Sequence, residues 1–324
     1  MVTHISLRDA ASVSEAREAA RAVGQAAGMP AVEIERCANA ISELCHNALR
    51  YGCDGSVSVR RITRGGVHGV EARVSDRGPG IEDAAAALGG RPSEFGGLGI
   101  GLGAAVRLCH ELDLDTRLGE GTLVIPRRFA TRAQRLPEVG IVGRPHSDGP
   151  PSGDEARVWR LSDGFLLAVA DGLGHGAAAH EGAQALVTAV GSAVHEGLPE
   201  MIVAANGAAK GTRGGALTVV RMQGRELQVC GVGNIIVRLY AGGRMRGVSA
   251  HAGTLTGRRL PMALRPRTFE VGPGTRLLVC TDGIRSRNLG DETLMGYSHP
   301  VAAASGVLQR HWRGTDDALV AVAW

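Results

Sequence analysis

Aspartates at the ends of apolar runs are the residues of this sequence with the clearest chemical potential. The run from Phe165 to Ala170 ends in Asp171-Gly172, and the run LLVC at 277–280 leads through one threonine into Asp282-Gly283. The same pattern occurs in reverse near the C-terminus, where an acidic pair precedes the apolar run ALVAV at 318–322. The acids of interest are Asp154, Asp171, Asp282 and Asp316.

Short apolar runs bounded by turn residues predict buried strands. A carboxylate at the end of such a strand lies at the edge of the core and faces a cleft. Oxygen ligands without histidine or cysteine suit hard ions such as Mg²⁺ or Mn²⁺. A single Asp-Gly is ordinarily just a turn, so the prediction of a metal site rests on the recurrence of the pattern.

The motifs around these aspartates resemble the SpoIIE/RsbX branch of the metal-dependent (PPM) serine/threonine phosphatases. The match runs from about Pro137 to the C-terminus and consists, in order, of GD at 153–154, AVADGLGHG at 168–176, GVGN at 231–234, TDG at 281–283 and DDALVAV at 316–322. This resemblance implies a strand-rich sandwich and a phosphatase that acts on phosphoserine or phosphothreonine.

The resemblance also implies a dinuclear Mn²⁺ or Mg²⁺ centre in which Asp171 bridges the ions and the Gly172 carbonyl is a further ligand. Asp154, Asp282 and Asp316 complete the shell directly or through water. Two such ions lower the pKa of a bridging water and make it a nucleophile. Asp317 is either a ligand or a strand cap, and His175 either donates to a leaving oxygen or packs its turn; neither is assigned to catalysis. Asn234, in the GVGN turn, is taken as architectural.

The N-terminal half begins with two predicted helices, the first opened by a capping box at Ser12 and ended by Gly28. The second spans roughly residues 30–51. At about 100° per residue, Glu43 and Asn47 lie one turn apart on one face of this helix. The opposite, apolar face is predicted to consist of Ile34, Cys37, Ile41, Leu44, Cys45 and Ala48. On helix evidence alone Glu43 and Asn47 are a solvated polar stripe.

Glycine-rich segments follow this helix. Two predicted strands lead into Asp76-Arg-Gly-Pro-Gly80, and GGLGIGL at 96–102 opens an apolar helix. Glycines at a helix start expose backbone N–H groups and the positive end of the helix dipole, which favour phosphate. The loop lacks the Lys-Ser/Thr of a P-loop and does not fit a Rossmann fingerprint.

Four motifs in residues 1–128 together resemble the GHKL ATP-binding fold, and most closely the anti-sigma and stress-switch kinases of RsbT and RsbW type. They are Glu43-x-x-x-Asn47, Asp76-x-Gly78-x-Gly80, Gly97-x-Gly99-x-Gly101 and Gly121-Thr122. The resemblance implies that Asn47 holds Mg²⁺ against ATP and that Glu43 is the general base toward a hydroxyl. Asp76 would accept a hydrogen bond from the adenine amino group. The remaining ATP-binding residues it implies are Gly78, Gly80, Gly97, Gly99, Gly101 and Thr122.

Composition agrees with an ordinary globular protein. The 324 residues include 44% apolar and 21% charged residues, and the net charge is +4. Arginines are interspersed with acids, and no basic stripe with interleaved aromatics is present, which disfavours a nucleic-acid partner. No apolar run has membrane-spanning length and the N-terminus lacks a signal-peptide core. We therefore expect a cytoplasmic protein with no membrane partner.

The predicted fold class is α+β in two domains: a GHKL (Bergerat) α/β sandwich and a PPM-type α-β-β-α sandwich. The predicted bounds are 1–128 for the first domain, 129–136 for a basic linker and 137–324 for the second domain.

The predicted function is a bacterial signalling switch that joins an ATP-dependent serine/threonine kinase to a metal-dependent phosphatase. The implied partner is a STAS-domain anti-sigma antagonist or stressosome-type protein, with a sigma factor as a further partner. The alternative is that the first domain only binds ATP and a partner, as an anti-sigma factor does, and that the phosphatase alone is an enzyme.

Overall fold

The structure is a computed structural model that describes residues 2–89, 100–133, 136–258, 260, 263–287, 289–290, 293–294 and 296–324. The chain divides into two compact units, Met1–Glu138 and Val139–Trp324. Each described helix is too short or too polar to cross a bilayer.

The first unit contains an antiparallel sheet whose strands follow the order β1-β2-β3-β5-β4. The strands are β1 (Val2–Ser6), β2 (Ser56–Arg64), β3 (Val67–Asp76), β4 (Glu111–Arg117) and β5 (Gly121–Phe129). The last residue of β5, Phe129, is the first residue of the predicted linker. The helices are α1 (Ala10–Ala26), α2 (Ala31–Tyr51), α3 (Ala84–Leu88) and α4 (Ile100–Leu108).

The predicted apolar face of α2 is confirmed. Its buried residues include all six predicted ones: Ile34, Cys37, Ile41, Leu44, Cys45 and Ala48. The helix packs on α1, α4 and the sheet, and Glu43 on its polar face stays exposed.

The capping box of α1 was wrongly assigned to Ser12. Asp9 is the N-cap, and its carboxylate accepts from the Ser12 backbone amide at 2.9 Å. The Ser12 hydroxyl in turn accepts from the Asp9 amide at 3.1 Å. Ser12 is thus the third residue of the helix and closes the box, because its short hydroxyl can return a bond to the cap from that position.

The second unit is built from two antiparallel sheets. One has the order β6-β15-β14-β11-β12 and the other the order β13-β10-β9-β8-β7. The first of these consists of β6 (Val139–Arg144), β11 (Ile236–Ala241), β12 (Arg244–Val248), β14 (Arg276–Cys280) and β15 (Ala318–Ala323). The other consists of β7 (Asp154–Arg160), β8 (Gly164–Gly172), β9 (Gly215–Gln223), β10 (Glu226–Val232) and β13 (Arg267–Glu270).

Alternation along β8 explains how the second unit is layered, since successive strand side chains point to opposite faces. Phe165, Leu167 and Val169 belong to the core between the two sheets. Leu166, Ala168 and Ala170 instead pack in a second core with α5 (Ala177–Ser192) and α6 (Leu198–Ala208). On the other sheet, α7 (Pro300–His311) packs on β6 and β15. The predicted α-β-β-α sandwich is confirmed.

Candidate functional sites

Asp76 is the centre of the candidate nucleotide site in the first unit. It is the last residue of β3 and pairs across the sheet with Thr122 of β5. One carboxylate oxygen accepts from the Gly78 amide at 2.8 Å. Burial raises the pKa of Asp76, and bonds from the Gly78 and Thr122 amides oppose that rise. The carboxylate is therefore held by the backbone in a partly desolvated recess, where a hydrogen bond to a donor is strengthened.

The turn after β3 and the hairpin between β4 and β5 enclose this recess. The Gly119 amide donates to the Pro79 carbonyl at 3.0 Å, and the Ile81 amide donates to the Thr116 hydroxyl at 2.8 Å. The Thr116 and Thr122 hydroxyl oxygens are 3.1 Å apart. Three of the predicted residues, Gly78, Gly80 and Thr122, thus lie on the segments that surround Asp76.

The polar face of α2 carries the other predicted residues of this site. Glu43 is exposed and Asn47 half-buried. A Cβ added to Gly101, near the start of α4, would lie 2.7 Å from both amide atoms of Asn47. A side chain at this position would therefore displace the Asn47 amide. Gly97 and Gly99 lie outside the described residues.

The candidate metal site of the second unit lies where the two sheets of the sandwich bring their strand ends together. Asp154 begins β7 and is paired in register with Asp171 near the end of β8. Asp282 follows β14 by two residues, and Asp316 precedes β15 by two. Because β14 and β15 are antiparallel neighbours, these last two acids lie at the same end of their sheet.

A cavity of about 420 Å³ joins three of the four acids. Its lining includes Asp171, Gly172, Asp282 and Asp316, together with Asn234. Asp154 is 2% exposed and is absent from the described lining of the cavity. The Asp154 carboxylate accepts from the Thr281 hydroxyl at 2.7 Å.

The acids of this cluster raise one another's pKa. Burial, and then the charges of Asp282, Asp316 and Asp317, raise the pKa of Asp171 to about 7. Burial and the Asp171 charge raise the pKa of Asp154 well above its ordinary value. Asp282 shifts in the same direction through burial and the Asp316 charge, with Arg313 opposing the shift. Carboxylates that repel one another in a cavity fit a site for cations.

Side chains that sequence reasoning did not assign to the site hold its acids in place. The Asn234 amide donates to Asp282 at 2.8 Å. Thr281 donates to Asp154 and accepts from the Leu319 amide at 2.9 Å. Asn234 and Thr281 lie inside the GVGN and TDG motifs, so their place in those motifs was the available signal.

Asp317 and Gly172 shape the cavity in other ways. Asp317 is 3% exposed and accepts from the backbone amides of His146 and Gly153 at 2.7 and 2.8 Å. It therefore binds both ends of the loop that precedes Asp154. A Cβ on Gly172 would lie 2.0 Å from the Ala179 carbonyl oxygen, so glycine is required where β8 meets α5.

Comparison with known proteins finds a separate match in each of the two units. Residues 7–127 match the family described as Histidine kinase-like ATPase domain, and residues 162–320 match Stage II sporulation protein E (SpoIIE). Serine/threonine-protein kinase RsbT of Bacillus subtilis (strain 168) is 36% identical over 107 residues. That alignment covers 33% of this chain and 80% of the kinase.

Two solved structures share the fold of a large part of the chain. One carries the description "The bacterial stressosome: a modular system that has been adapted to control secondary messenger signaling". It is 28% identical to this chain with a TM-score of 0.55, and the match covers 58% of this chain and 99% of the other. The second is RsbX in complex with magnesium, 21% identical with a TM-score of 0.53, over 58% of this chain and 94% of RsbX. Through its first unit the chain belongs to the RsbT family of kinase-like ATPase domains, and this domain is fused to a phosphatase domain of the SpoIIE family.

Proposed function

We propose that the chain is a two-way phosphorylation switch. The first unit transfers phosphate from ATP to a serine or threonine of a STAS-domain protein, and the second unit removes it. The observation that carries this proposal is that each unit has its own set of chemically suited groups. One is the amide-held Asp76 with the polar face of α2, and the other is the carboxylate cavity of the sandwich.

In the first unit, ATP would bind with its adenine amino group donating to Asp76, whose other bonds come from backbone amides. Asn47, beside the start of α4, would hold Mg²⁺ against the phosphates. Glu43, one turn earlier on the same exposed face, would accept the proton of the acceptor hydroxyl. Phosphoryl transfer needs mainly positioning and charge neutralisation, which this group of residues is suited to supply.

In the second unit, Asp171, Asp282, Asp316 and the Gly172 carbonyl would hold a pair of Mn²⁺ or Mg²⁺ ions. The fit rests on oxygen donors alone and on the raised pKa values of the cavity acids. When bound, the ions supply an activated water and neutralise the phosphate charge. Asp154, behind the cavity, would complete the centre through water, with its carboxylate held by the Thr281 hydroxyl. Asn234 would fix the rotamer of Asp282 through its 2.8 Å bond.

The proposed substrate is a STAS-domain component of a stressosome-type partner-switching pathway. RsbT is a serine/threonine-protein kinase, and the description of one structural relative names the bacterial stressosome. A sigma factor is a further candidate partner. We also propose that this switch operates in the cytoplasm.

The experiment incubates a STAS-domain protein with ATP, Mg²⁺, Mn²⁺ and either the wild-type chain, Glu43→Ala or Asp171→Asn. Intact mass reports the phosphorylated fraction over time. The phosphorylated STAS protein should accumulate with Asp171→Asn, remain low with wild type, and be absent with Glu43→Ala. Glu35→Ala, an exposed change on the same helix, is the control and should behave as wild type.

The outcomes separate the two halves of the proposal. If Asp171→Asn and wild type both leave the STAS protein unphosphorylated, the first unit is an ATP- and partner-binding module and only the phosphatase acts. If a pre-phosphorylated STAS protein loses its phosphate equally fast with wild type and Asp171→Asn, the metal-site assignment is wrong.

A further inference from the structure

A second cavity of the sandwich lies at the edge formed by β12 and β13 and has no part in the proposed phosphatase chemistry. These two strands are the last strands of their sheets. Residues of both line this cavity, which has a volume of about 360 Å³ and is called the edge cavity below. Its apolar wall comes from both sheets and includes Val229, Val237 and Val248.

Thr218 gives the edge cavity a buried polar group. The residue belongs to β9, two strands away from β13 in the same sheet, so it lies about 10 Å from the edge strand. Ala216 and Val220, two positions away on either side, belong to the core between the sheets, and Thr218 therefore points between the sheets as well. It is 1% exposed, and its hydroxyl has no hydrogen-bond partner in the described part of the chain.

A glycine keeps the space beside this hydroxyl open. Gly231 of β10 pairs in register with Thr218 and also lines the edge cavity. A Cβ at Gly231 would lie 2.4 Å from the Thr218 hydroxyl oxygen. A buried hydroxyl without a partner costs stability, and a ligand with a hydrogen-bond acceptor would remove that cost.

Two arginines lie at the outer end of the edge cavity. Arg267 begins β13, Arg265 precedes it by two residues, and both are exposed. The Arg265 amide donates to His251 Nε2 at 3.1 Å, which holds this segment against the chain that follows β12. Neither guanidinium has an ion pair among the residues that the structure describes. Both are therefore available to an anion at the mouth of the cavity.

Paired backbone separates the edge cavity from the carboxylate cavity. The His251 amide donates to the Gly231 carbonyl at 2.8 Å, and the Gly233 amide donates to the His251 carbonyl at 2.9 Å. Gly231 and His251 line the edge cavity, whereas Gly233 and Asn234 line the carboxylate cavity. The edge cavity is thus a separate site, and an inference about it does not depend on the phosphatase assignment.

We propose that the edge cavity binds a small organic anion with an apolar body and a hydrogen-bond acceptor at the end opposite the charge. The body would lie against the apolar wall, the acceptor would bind the Thr218 hydroxyl, and the anionic group would bind Arg265 and Arg267. The volume is at the lower end of the range of about 300 to 1,000 Å³ for ligand pockets, which favours a compact aromatic acid.

The probe for this site is 4-acetylcinnamate, whose ketone and carboxylate lie roughly 10 Å apart, or about two strand spacings. Its partner 4-isopropylcinnamate has nearly the same shape and lacks the ketone acceptor. Saturation-transfer NMR with the full chain gives the Kd of each compound. Wild type should bind 4-acetylcinnamate with a Kd of about 1 mM or below, as expected for a ligand of this size.

Thr218→Val tests the inner end of the site. This variant should shift the ratio of the two Kd values toward 4-isopropylcinnamate by about three- to tenfold, because only the ketone loses a hydrogen bond. Without ligand it should raise the Tm of the second unit by about 2 to 6 °C, since a methyl group of the same shape replaces an unpartnered hydroxyl. A lower Tm would show that the hydroxyl already has a partner and would contradict the proposal.

The double change Arg265→Glu and Arg267→Glu tests the outer end. It should weaken the binding of both compounds at least tenfold, because both carry the carboxylate. Arg157→Glu, at an exposed arginine of β7 on the opposite edge of the same sheet, is the control and should bind both as wild type does. The proposal is overturned if wild type shows no saturable binding, if Thr218→Val leaves the Kd ratio unchanged, or if the double arginine variant binds as tightly as wild type.

Discussion

Replacing Asp171 with asparagine should make the metal-free chain more stable, although it removes a proposed metal ligand. The pKa of this carboxyl is about 7 in the folded protein against an ordinary value of 3.8. Ionising it in the fold therefore costs about three pKa units, or about 4 kcal/mol at 1.36 kcal/mol per unit. Asparagine has the same shape and carries no charge, so most of this cost disappears.

The pH dependence gives the sign of the effect. A carboxyl whose folded pKa is raised favours folding when protonated, and this stabilisation is lost as pH rises from about 4 to about 7. The free energy of unfolding of Asp171→Asn should therefore exceed that of wild type by about 2 to 4 kcal/mol at pH 8. This difference between variant and wild type should be about 2 to 3 kcal/mol smaller at pH 5, where Asp171 is largely protonated in the folded protein.

Thermal unfolding in EDTA measures this difference. For a unit of this size, 1 kcal/mol corresponds to about 2 to 4 °C, so Asp171→Asn should raise the Tm of the second unit by about 5 to 15 °C at pH 8. Added Mn²⁺ should stabilise wild type and have little effect on the variant, because cations neutralise the cluster only where they bind. Asp163→Asn, at the other end of β8, is the matched control and should change Tm little. An unchanged or lower Tm for Asp171→Asn in EDTA would refute the repulsion argument.

Three further predictions concern the first unit. Asp76→Ala should weaken ATP binding at least tenfold in isothermal titration, because the adenine amino group loses its acceptor; near-wild-type affinity would contradict the assignment. Glu43→Gln should bind ATP normally but slow phosphoryl transfer to a STAS protein about 10²-fold or more, and equal single-turnover rates would show that Glu43 is only a surface charge. Arg127 is 2% exposed and donates to Glu71 and Asp113, both at 2.7 Å. Arg127→Ala should therefore lower the free energy of unfolding by about 3 to 5 kcal/mol in denaturant titration, since it leaves buried carboxylates unpaired, and a loss below about 1 kcal/mol would contradict this.

Periodicity and apolar runs were sufficient to predict the elements that carry the sites. The angular positions along α2 predicted which residues are buried, because one helix face must pack while the other stays in water. The apolar run at 165–170 predicted β8 but ended it early. In the structure, pairing with β7 and β9 continues through Asp171 and Gly172, so this acid lies within the strand and not after it.

Contacts between distant segments were beyond the reach of local patterns. The bond from Thr281 to Asp154 joins residues 127 positions apart, and the bonds to Asp317 span more than 160. Such pairs depend on how two sheets stack and not on propensity in either segment. The stacking of the His146 ring on the His175 ring has the same origin: a loop and a turn meet only once the sandwich is formed.

The most direct test of the two-way switch is the amount of ADP formed per STAS-domain protein in the presence of ATP, Mg²⁺ and Mn²⁺. If both sites act on the same phosphoryl group, the wild-type chain should produce ADP continuously, well beyond one equivalent per phosphorylation site. Asp171→Asn should stop at one equivalent, and Glu43→Ala should produce none. Continued ADP formation by Asp171→Asn at the wild-type rate, or none by wild type, would contradict the account.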